Sequence, residues 1–462
     1  MNILDLPNLA LIETDLESKI AIAELYAELV LKYPVYQAID FEKKLIEDFS
    51  HILEGFNQKK VDRDICHVIS TPYLTGGHTR LCEKLSTMEG KESSLLVTRD
   101  YDKEVVDRLS SFFPVIKCIN TNALVDSILE MVEFMSSYSK LVLHIHPDDI
   151  KSVIAVGLLR KVNPEIKVLF VNHADHLFSY GRSVIDIMLD ISFRGFCIES
   201  KIENKEYVNS FLGIPVEVNK RPAFGGNVKN LIIAGSSYKM KPNDRTSIQR
   251  EIAHLFSLNE EYSLNVIGAK TTDYWWWPLK LKFPNRIKIR KTLPYNEYMD
   301  IVKKCDACID TSPIGGGTAF VEMYLNSLRP VAIFSDACGY TPLDTVRKNT
   351  LLESINSDEY SSDSLFRSVL RVHSSAVVKE RYLDALNMKF HSIDSSLVTS
   401  RNDMNLFIKR GKFDYDFSHF RKIWLIKSFS LVGKVKFIFI NYSFIKLPFK
   451  LCMKLSKVVI NK

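Results

Sequence analysis

The chain has 462 residues, 46% of them hydrophobic and 25% charged, with a formal net charge of +6. That length calls for two or three domains, and the composition excludes a disordered or fibrous chain. Its eight cysteines are scattered, with a C-x-x-C only at Cys305 and Cys308. This excludes a disulfide scaffold and a four-cysteine zinc site, and it fits a reducing compartment with buried thiols.

The first residues carry no basic, long-apolar leader, so no signal peptide is expected. No stretch of about 20 uncharged apolar residues predicts a membrane-spanning helix. Residues 1–60 read as an N-terminal helical segment, with Leu16, Ile20, Leu25 and Leu29 at roughly helical spacing.

Residues 61–220 alternate short apolar runs with helical patterns. Ile65–Ser70, Ser94–Thr98, Pro114–Cys118, Leu141–His146 and Lys167–Asn172 read as strands. A further strand is expected at Phe193–Glu199, then a helix over Lys201–Leu212 and a closing strand at Ile214–Val218. The stretch 219–228, rich in Pro, Gly and charge, reads as a linker. The alternation then restarts over 228–395, with strands at Asn230–Ala234, Leu264–Gly268, Ile287–Arg290, Ala307–Ile309 and Pro330–Phe334. Strands alternating with helices predict two parallel sheets covered by helices, that is, two Rossmann-like domains facing a cleft.

The last segment, 396–462, differs in kind. From Arg421 onward it has ten Lys and Arg and no Asp or Glu, with Trp424, Phe429, Phe437 and other aromatics between the cations. This pattern suits a basic amphipathic tail lying on an anionic membrane surface. The competing reading is a helix packed onto the N-terminal domain with its lysines in water. The apolar content disfavours nucleic acid as a partner.

One stretch organises the second half. Asp306-Ala-Cys-Ile-Asp-Thr-Ser-Pro-Ile-Gly-Gly-Gly-Thr318 reads as a strand, a glycine turn and a helix start. Gly315, Gly316 and Gly317 are expected to adopt backbone angles closed to other residues. The helix N-terminus behind them would present free N–H groups and a positive dipole to phosphate.

This stretch, Tyr238-Lys-Met-Lys-Pro242 and Leu293-Pro-Tyr-Asn-Glu-Tyr-Met299 resemble motifs of the GT-B glycosyltransferases. The resemblance is to the branch of O-linked N-acetylglucosamine transferase and of bacterial polysaccharide and lipopolysaccharide glycosyltransferases, and it covers about 228–335. A weaker likeness lies in Thr75-Gly-Gly-His78 and Asn172-His-Ala-Asp-His176. The resemblance implies a GT-B fold and a nucleotide-diphosphate sugar, uridine-linked, as donor substrate, with no further cofactor. It implies that Lys239 and neighbouring Ser237 meet the diphosphate, that Gly315, Gly316, Gly317 and Thr318 hold phosphate oxygens, and that Glu322 accepts ribose hydroxyls. The chain departs from the branch at Gly317-Thr318-Ala319, where relatives often have His-Thr-Thr.

GT-B enzymes typically bind no metal, and no Asp-x-Asp pair is expected at a strand end, since Asp414-Tyr-Asp416 lies far from any sheet. Sugar transfer needs a base for the acceptor hydroxyl. His78, His173 and Asp175 are the candidates from the N-terminal half, with His146 behind them. Gly76, Gly77 and Trp275 are candidate acceptor contacts, although core packing competes for the Trp275-Trp-Trp277 run.

The reading is a glycosyltransferase acting on a glycan or lipid-linked glycan, cytoplasmic and peripheral on the inner face of a membrane. A nucleotide-sugar epimerase on the same fold and a non-catalytic membrane scaffold are the alternatives.

Overall fold

The computed structural model describes residues 3–74, 77–121, 123–218, 221–243, 245–335, 337–393 and 417–441. Gly76, Asp414–Asp416 and the rest of the tail lie outside the described residues.

The first sheet has seven parallel strands: β1 (Arg63–Ile69), β2 (Ser94–Val97), β3 (Val115–Cys118), β4 (Tyr138–His144), β5 (Lys167–Asn172), β6 (Ile187–Asp190) and β7 (Val208–Phe211). Their spatial order is β3-β2-β1-β4-β5-β6-β7. The second sheet has five: β8 (Asn230–Ala234), β9 (Ser263–Ile267), β10 (Ile287–Arg290), β11 (Ala307–Ile309) and β12 (Arg329–Val331), in the order β10-β9-β8-β11-β12. All strand pairs are parallel. Each sheet therefore has a switch point, between β1 and β4 in the first and between β8 and β11 in the second. Loops leaving such a point diverge to opposite faces and open a crevice for a ligand.

The strand expected at Phe193–Glu199 is instead a helix, Phe193–Ser200, and the expected helix contains β7. The strand that precedes that slip is β6, which went unrecognised. Its run is preceded by Asp186 and ends on Asp190, two charged residues at the edges of a short apolar stretch. In the fold Asp186 accepts the Val168 N–H at 2.7 Å, and Asp190 is fully buried and takes the Asn172 amide at 3.0 Å. Ser192 marks the true helix start by accepting the Gly195 N–H.

The helix Ser375–Leu386 crosses back onto the first domain, where Val378, Tyr382, Ala385 and Leu386 pack with Ile65, Leu81 and Val142. The boundary drawn at 395 therefore divides differently: amphipathic spacing shows a buried face but not which sheet buries it. Residues of the N-terminal helical segment likewise share one core with the first sheet's helices.

The described part of the tail forms helices Phe417–Leu425 and Leu431–Asn441. Ile423 and Ile426 are fully buried and Phe437 nearly so, in that same core. Lys422 reaches Glu28 at 2.7 Å and Glu24 at 3.2 Å, and Lys427 reaches Asp15 at 2.5 Å. This part of the tail thus follows the packed reading on one face. Its other face leaves Trp424, Leu431, Val432 and Val435 exposed. Among the described residues no helix is long and apolar enough to cross a membrane.

The two faces predict opposite responses. Ile423→Ala should lower unfolding free energy by about 2–5 kcal/mol. Trp424→Ala should change it by less than about 0.5 kcal/mol. Urea titration followed by far-UV circular dichroism checks both values.

Candidate active site

The loops that leave the second switch point form one wall. After β8, Ser237–Met240 makes a single 3-10 turn carrying Lys239. The Lys239 carbonyl accepts the Ile314 N–H at 3.3 Å, which joins this turn to the glycine turn after β11. Ser237 does not offer its hydroxyl outward; it donates to Asp273. Asp273, which sequence reasoning would place on the surface, is 8% exposed and also accepts the Lys270 N–H at 2.6 Å.

The glycine turn is built around Asp310. This carboxylate is buried and accepts the N–H groups of Thr311 and Gly316, both at 2.8 Å. Arg347 donates to its other oxygen and binds Asp344 at 2.6 Å. Burial pushes the Asp310 carboxyl up, and the Arg347 guanidinium opposes the shift.

Two expectations for the turn are corrected here. None of Gly315, Gly316 and Gly317 has a positive φ. Close approach is the reason for Gly315 and Gly316: a Cβ would lie 2.6 Å from the Ala337 carbonyl oxygen at Gly315 and 2.7 Å from Asp310 Oδ1 at Gly316. The N–H groups of these two are also not free, since Gly315 donates to Ala337 and Gly316 to Asp310. The N–H groups left without an intrahelical partner are instead those that open the helix Thr318–Leu325, whose N-cap, Gly317, supplies no side-chain cap.

Glu322 lies one turn along that helix. Its Oε1 accepts the Tyr295 hydroxyl at 2.7 Å. Burial and this carboxylate push the Tyr295 phenol well up. The Arg80 guanidinium sits 4.1 Å from the centre of the Tyr295 ring, reaching across from the first domain.

Histidines from the first switch point form the facing wall. His78 lies at the start of the helix Gly77–Met88, His146 just past β4, and His173 just past β5. The rings of His78 and His173 are 4.4 Å apart, those of His78 and His146 5.4 Å, and Tyr73 stacks on His146 at 5.7 Å. His78 Nε2 lies 2.8 Å from the His144 carbonyl, so it must carry the proton and donate. That leaves His78 Nδ1 as a lone pair, buried and without a partner among the described residues. Burial, with His146 alongside, pushes His78 down to about 4. Burial likewise holds His144 and His173 well below the usual range and lowers His146.

The walls meet closely. A Cβ placed on Gly77 would lie 3.7 Å from Thr318 Oγ1. Asp175, 2% exposed, closes the base of the cleft: Oδ1 accepts the Tyr340 hydroxyl at 2.6 Å from the second domain, and Oδ2 the Ser192 hydroxyl at 2.7 Å. His176 Nδ1 lies 3.2 Å away. These partners offset burial and hold the Asp175 carboxyl well below its ordinary value, which places it as a charged clasp between domains.

Trp275 is half-buried on the second domain, with Lys241 5.8 Å from its ring centre, so it belongs to the surroundings of the donor turn. Trp276 is core and Trp277 is exposed. Cys305 and Cys308 are buried thiols, as expected.

Among the described residues, His67 Nδ1, Cys82 Sγ and His144 Nε2 form the one grouping of three potential metal donors, within 4.8 Å of one another. Hydrogen-bonding distances already join them: 2.9 Å between the two histidines and 3.7 Å from Cys82 to His67. His67, Arg80 and Tyr340 are site residues that sequence reasoning passed over. The one available signal was His67, an ionisable side chain inside the otherwise apolar run of β1.

No family model and no curated protein matches this chain. Among solved structures it is similar to Anabaena HepE in complex with UDP and glucose, at 9% identity and a TM-score of 0.54, over 71% of this chain and 100% of that one. It is also similar to the lipopolysaccharide outer core galactosyltransferase WaaB in its apo form, at 11% identity and a TM-score of 0.51, over 70% and 99%. The shared feature is the architecture, and this chain has the GT-B fold.

The histidine wall predicts acid sensitivity. A group whose folded pKa lies below its unfolded one makes the unfolded state the better proton binder, so stability falls as pH drops from about 6.5 toward the folded value. Unfolding free energy should therefore decrease between pH 7 and pH 5. His78→Gln should flatten that slope, as read by urea titrations at each pH.

Proposed function

We propose that the protein is a glycosyltransferase. It moves a sugar from a uridine-diphosphate donor to a glycan or lipid-linked glycan acceptor, with no bound metal. The observation that carries this reading is the pairing of walls. Lys239 and the uncapped helix start at Thr318 stand on one side, and the lone pair of His78 Nδ1 and the ring of His173 stand on the other, with Gly77 against Thr318. The UDP and glucose in the HepE structure support the choice of donor.

The chemistry follows from the placement. The donor diphosphate lies against the N–H groups that open the helix Thr318–Leu325, and Lys239 meets its charge. As the bond to the anomeric carbon breaks, negative charge grows on the leaving oxygen, and fixed dipoles and a cation stabilise that state more than the ground state. Glu322 accepts the ribose hydroxyls with the carboxylate oxygen that Tyr295 leaves open. A histidine of the facing wall takes the acceptor's proton. Both are held neutral by burial and so keep a lone pair at neutral pH.

Lys239→Ala should weaken UDP binding about tenfold or more, the range expected for losing a charge-assisted hydrogen bond. Isothermal titration reads it, and unchanged affinity would remove Lys239 from the diphosphate. Nucleotide release across a panel of sugar donors, with and without membrane extract, tests the activity. Release only with acceptor supports transfer, release without acceptor marks an epimerase, and no release marks a scaffold.

We also propose that the protein works at the cytoplasmic face of a membrane, seated by the exposed side of its tail. Trp424, Leu431, Val432 and Val435 are all at least 40% exposed, and Lys436 lies among them on the exposed surface. Apolar side chains beside lysines suit an anionic headgroup layer. The protein should float with vesicles containing phosphatidylglycerol and not with neutral ones. The double change Leu431→Glu and Val432→Glu should abolish flotation while leaving UDP affinity intact.

A further inference from the structure

A row of histidines runs from the cleft into the first domain, half-buried at His173 and fully buried at His144 and His67. His67 lies in β1, His144 ends β4 and His173 follows β5, three strands adjacent in the sheet. His173 Nε2 lies 2.9 Å from His144 Nδ1, and His144 Nε2 lies 2.9 Å from His67 Nδ1. His67 Nε2 then lies 2.8 Å from Glu89 Oε1. The Glu89 side chain is 1% exposed, and its Oε1 also accepts the Tyr382 hydroxyl at 2.5 Å.

The terminal group sets the direction of every bond. A carboxylate can only accept, so His67 Nε2 carries its proton and His67 Nδ1 is a lone pair. That lone pair requires a proton on His144 Nε2, which leaves His144 Nδ1 as a lone pair and requires a proton on His173 Nε2. The end of the row is then His173 Nδ1, a lone pair outside the chain of bonds. The side of the row is lined by Phe113, edge-on to His67 at 5.4 Å between ring centres, and by Cys82.

Resting on the transferase reading above, we propose that His173 is the base and that Glu89, 1% exposed and linked through His144 and His67, is the proton's destination. The acceptor oxygen bonds to the anomeric carbon as the carbon–oxygen bond to the diphosphate breaks, and UDP leaves with that electron pair. The acceptor hydroxyl's proton goes to His173 Nδ1. The Nε2 proton of His173 passes to His144 Nδ1, that of His144 to His67 Nδ1, and that of His67 to Glu89 Oε1. Each imidazole ends neutral in its other tautomer, and Glu89 ends as a neutral acid. Reversal of the same steps returns the proton to solvent once the product leaves.

This row separates two candidates that cleft geometry alone leaves equal. His78 Nε2 donates to a backbone carbonyl, which cannot take the proton onward. A proton accepted at His78 Nδ1 therefore leaves a buried cation, which burial strongly disfavours. A proton accepted at His173 leaves none. His78 serves as a positioning residue that accepts a hydrogen bond from the acceptor sugar.

Glu89→Gln tests the proposal, because the amide oxygen still accepts from His67 and Tyr382 but cannot take a proton. Melting temperature and UDP affinity should stay at wild-type values while kcat falls about a hundredfold or more. The donor KM should stay unchanged. Wild-type kcat in this variant overturns the relay. Nitrogen-15 spectra of histidine-labelled resting protein provide a test that needs no turnover. The Nε2–H tautomer at His67, His144 and His173 supports the row, and an Nδ1–H tautomer at His67 or His144 overturns it. One equivalent of a transition metal in the purified protein also overturns it, because a ligated imidazole cannot pass a proton. Failure of the wild type to release nucleotide with any donor overturns the transferase reading instead, and the spectra then decide the row by themselves.

Discussion

The hydrogen bond from Tyr340 to Asp175 is the contact on which the rest of the cleft depends. Two parallel sheets that each open a crevice do nothing together unless the crevices face one another at a fixed spacing. Asp175 is charged, buried and held from three directions, so displacing any partner leaves a desolvated charge. Around it the Phe193 N–H donates to the Gly339 carbonyl at 2.8 Å, adding a backbone bond between domains. The returning helix Ser375–Leu386 adds an apolar seam, and through Tyr382 it also reaches Glu89. The same crossing that joins the domains therefore also touches the far end of the histidine row.

The two walls divide the chemistry by charge. The second domain supplies a cation, a helix dipole and a carboxylate, which suit a nucleotide diphosphate. The first domain supplies neutral imidazoles under low exposure, which suit proton acceptance without attracting phosphate. Had the histidines been solvated and protonated at neutral pH, they would compete for the diphosphate and lose their lone pairs. Burial that lowers their pKa would thus serve the proposed transfer, and its cost is the acid sensitivity of the fold.

How much of this was legible in the residues varied with the kind of signal. The alternation of strands and helices gave both sheets, because parallel strands covered on both faces are short apolar runs that stand out. It failed at 187–211, where β6 is only four residues long and ends on Asp190, whose buried bond to Asn172 cannot be read from order alone. The loop after β8 and the glycine turn after β11 were legible as strand-end connections because Lys239 and Gly315–Gly317 follow short apolar runs, and Glu322 follows on the helix that the turn opens. The histidine row was not, since its members are 77 and 29 positions apart along the chain and only strand order brings them together. Asp175 was singled out as a possible base, and only the tertiary partner Tyr340 reveals its other duty. The tail's composition was plain in the residues, but composition does not say which face of a helix meets protein.

The departure at Gly317-Thr318-Ala319 has a physical account in the same contacts. Here a Cβ on residue 317 would lie 3.3 Å from Ile214 Cδ1 and 3.8 Å from Tyr340 Cδ1. Ile214 belongs to the strap leaving the first domain, and Tyr340 is the residue that clasps Asp175. The space a larger side chain needs at 317 is therefore occupied by the groups that hold the domains together. That crowding leaves little room for a side-chain donor at 317, and the N–H groups that open the helix Thr318–Leu325 have no side-chain cap. The glycine at 317 and the Tyr340–Asp175 clasp therefore fit one another, and the missing histidine does not by itself argue for a silent site.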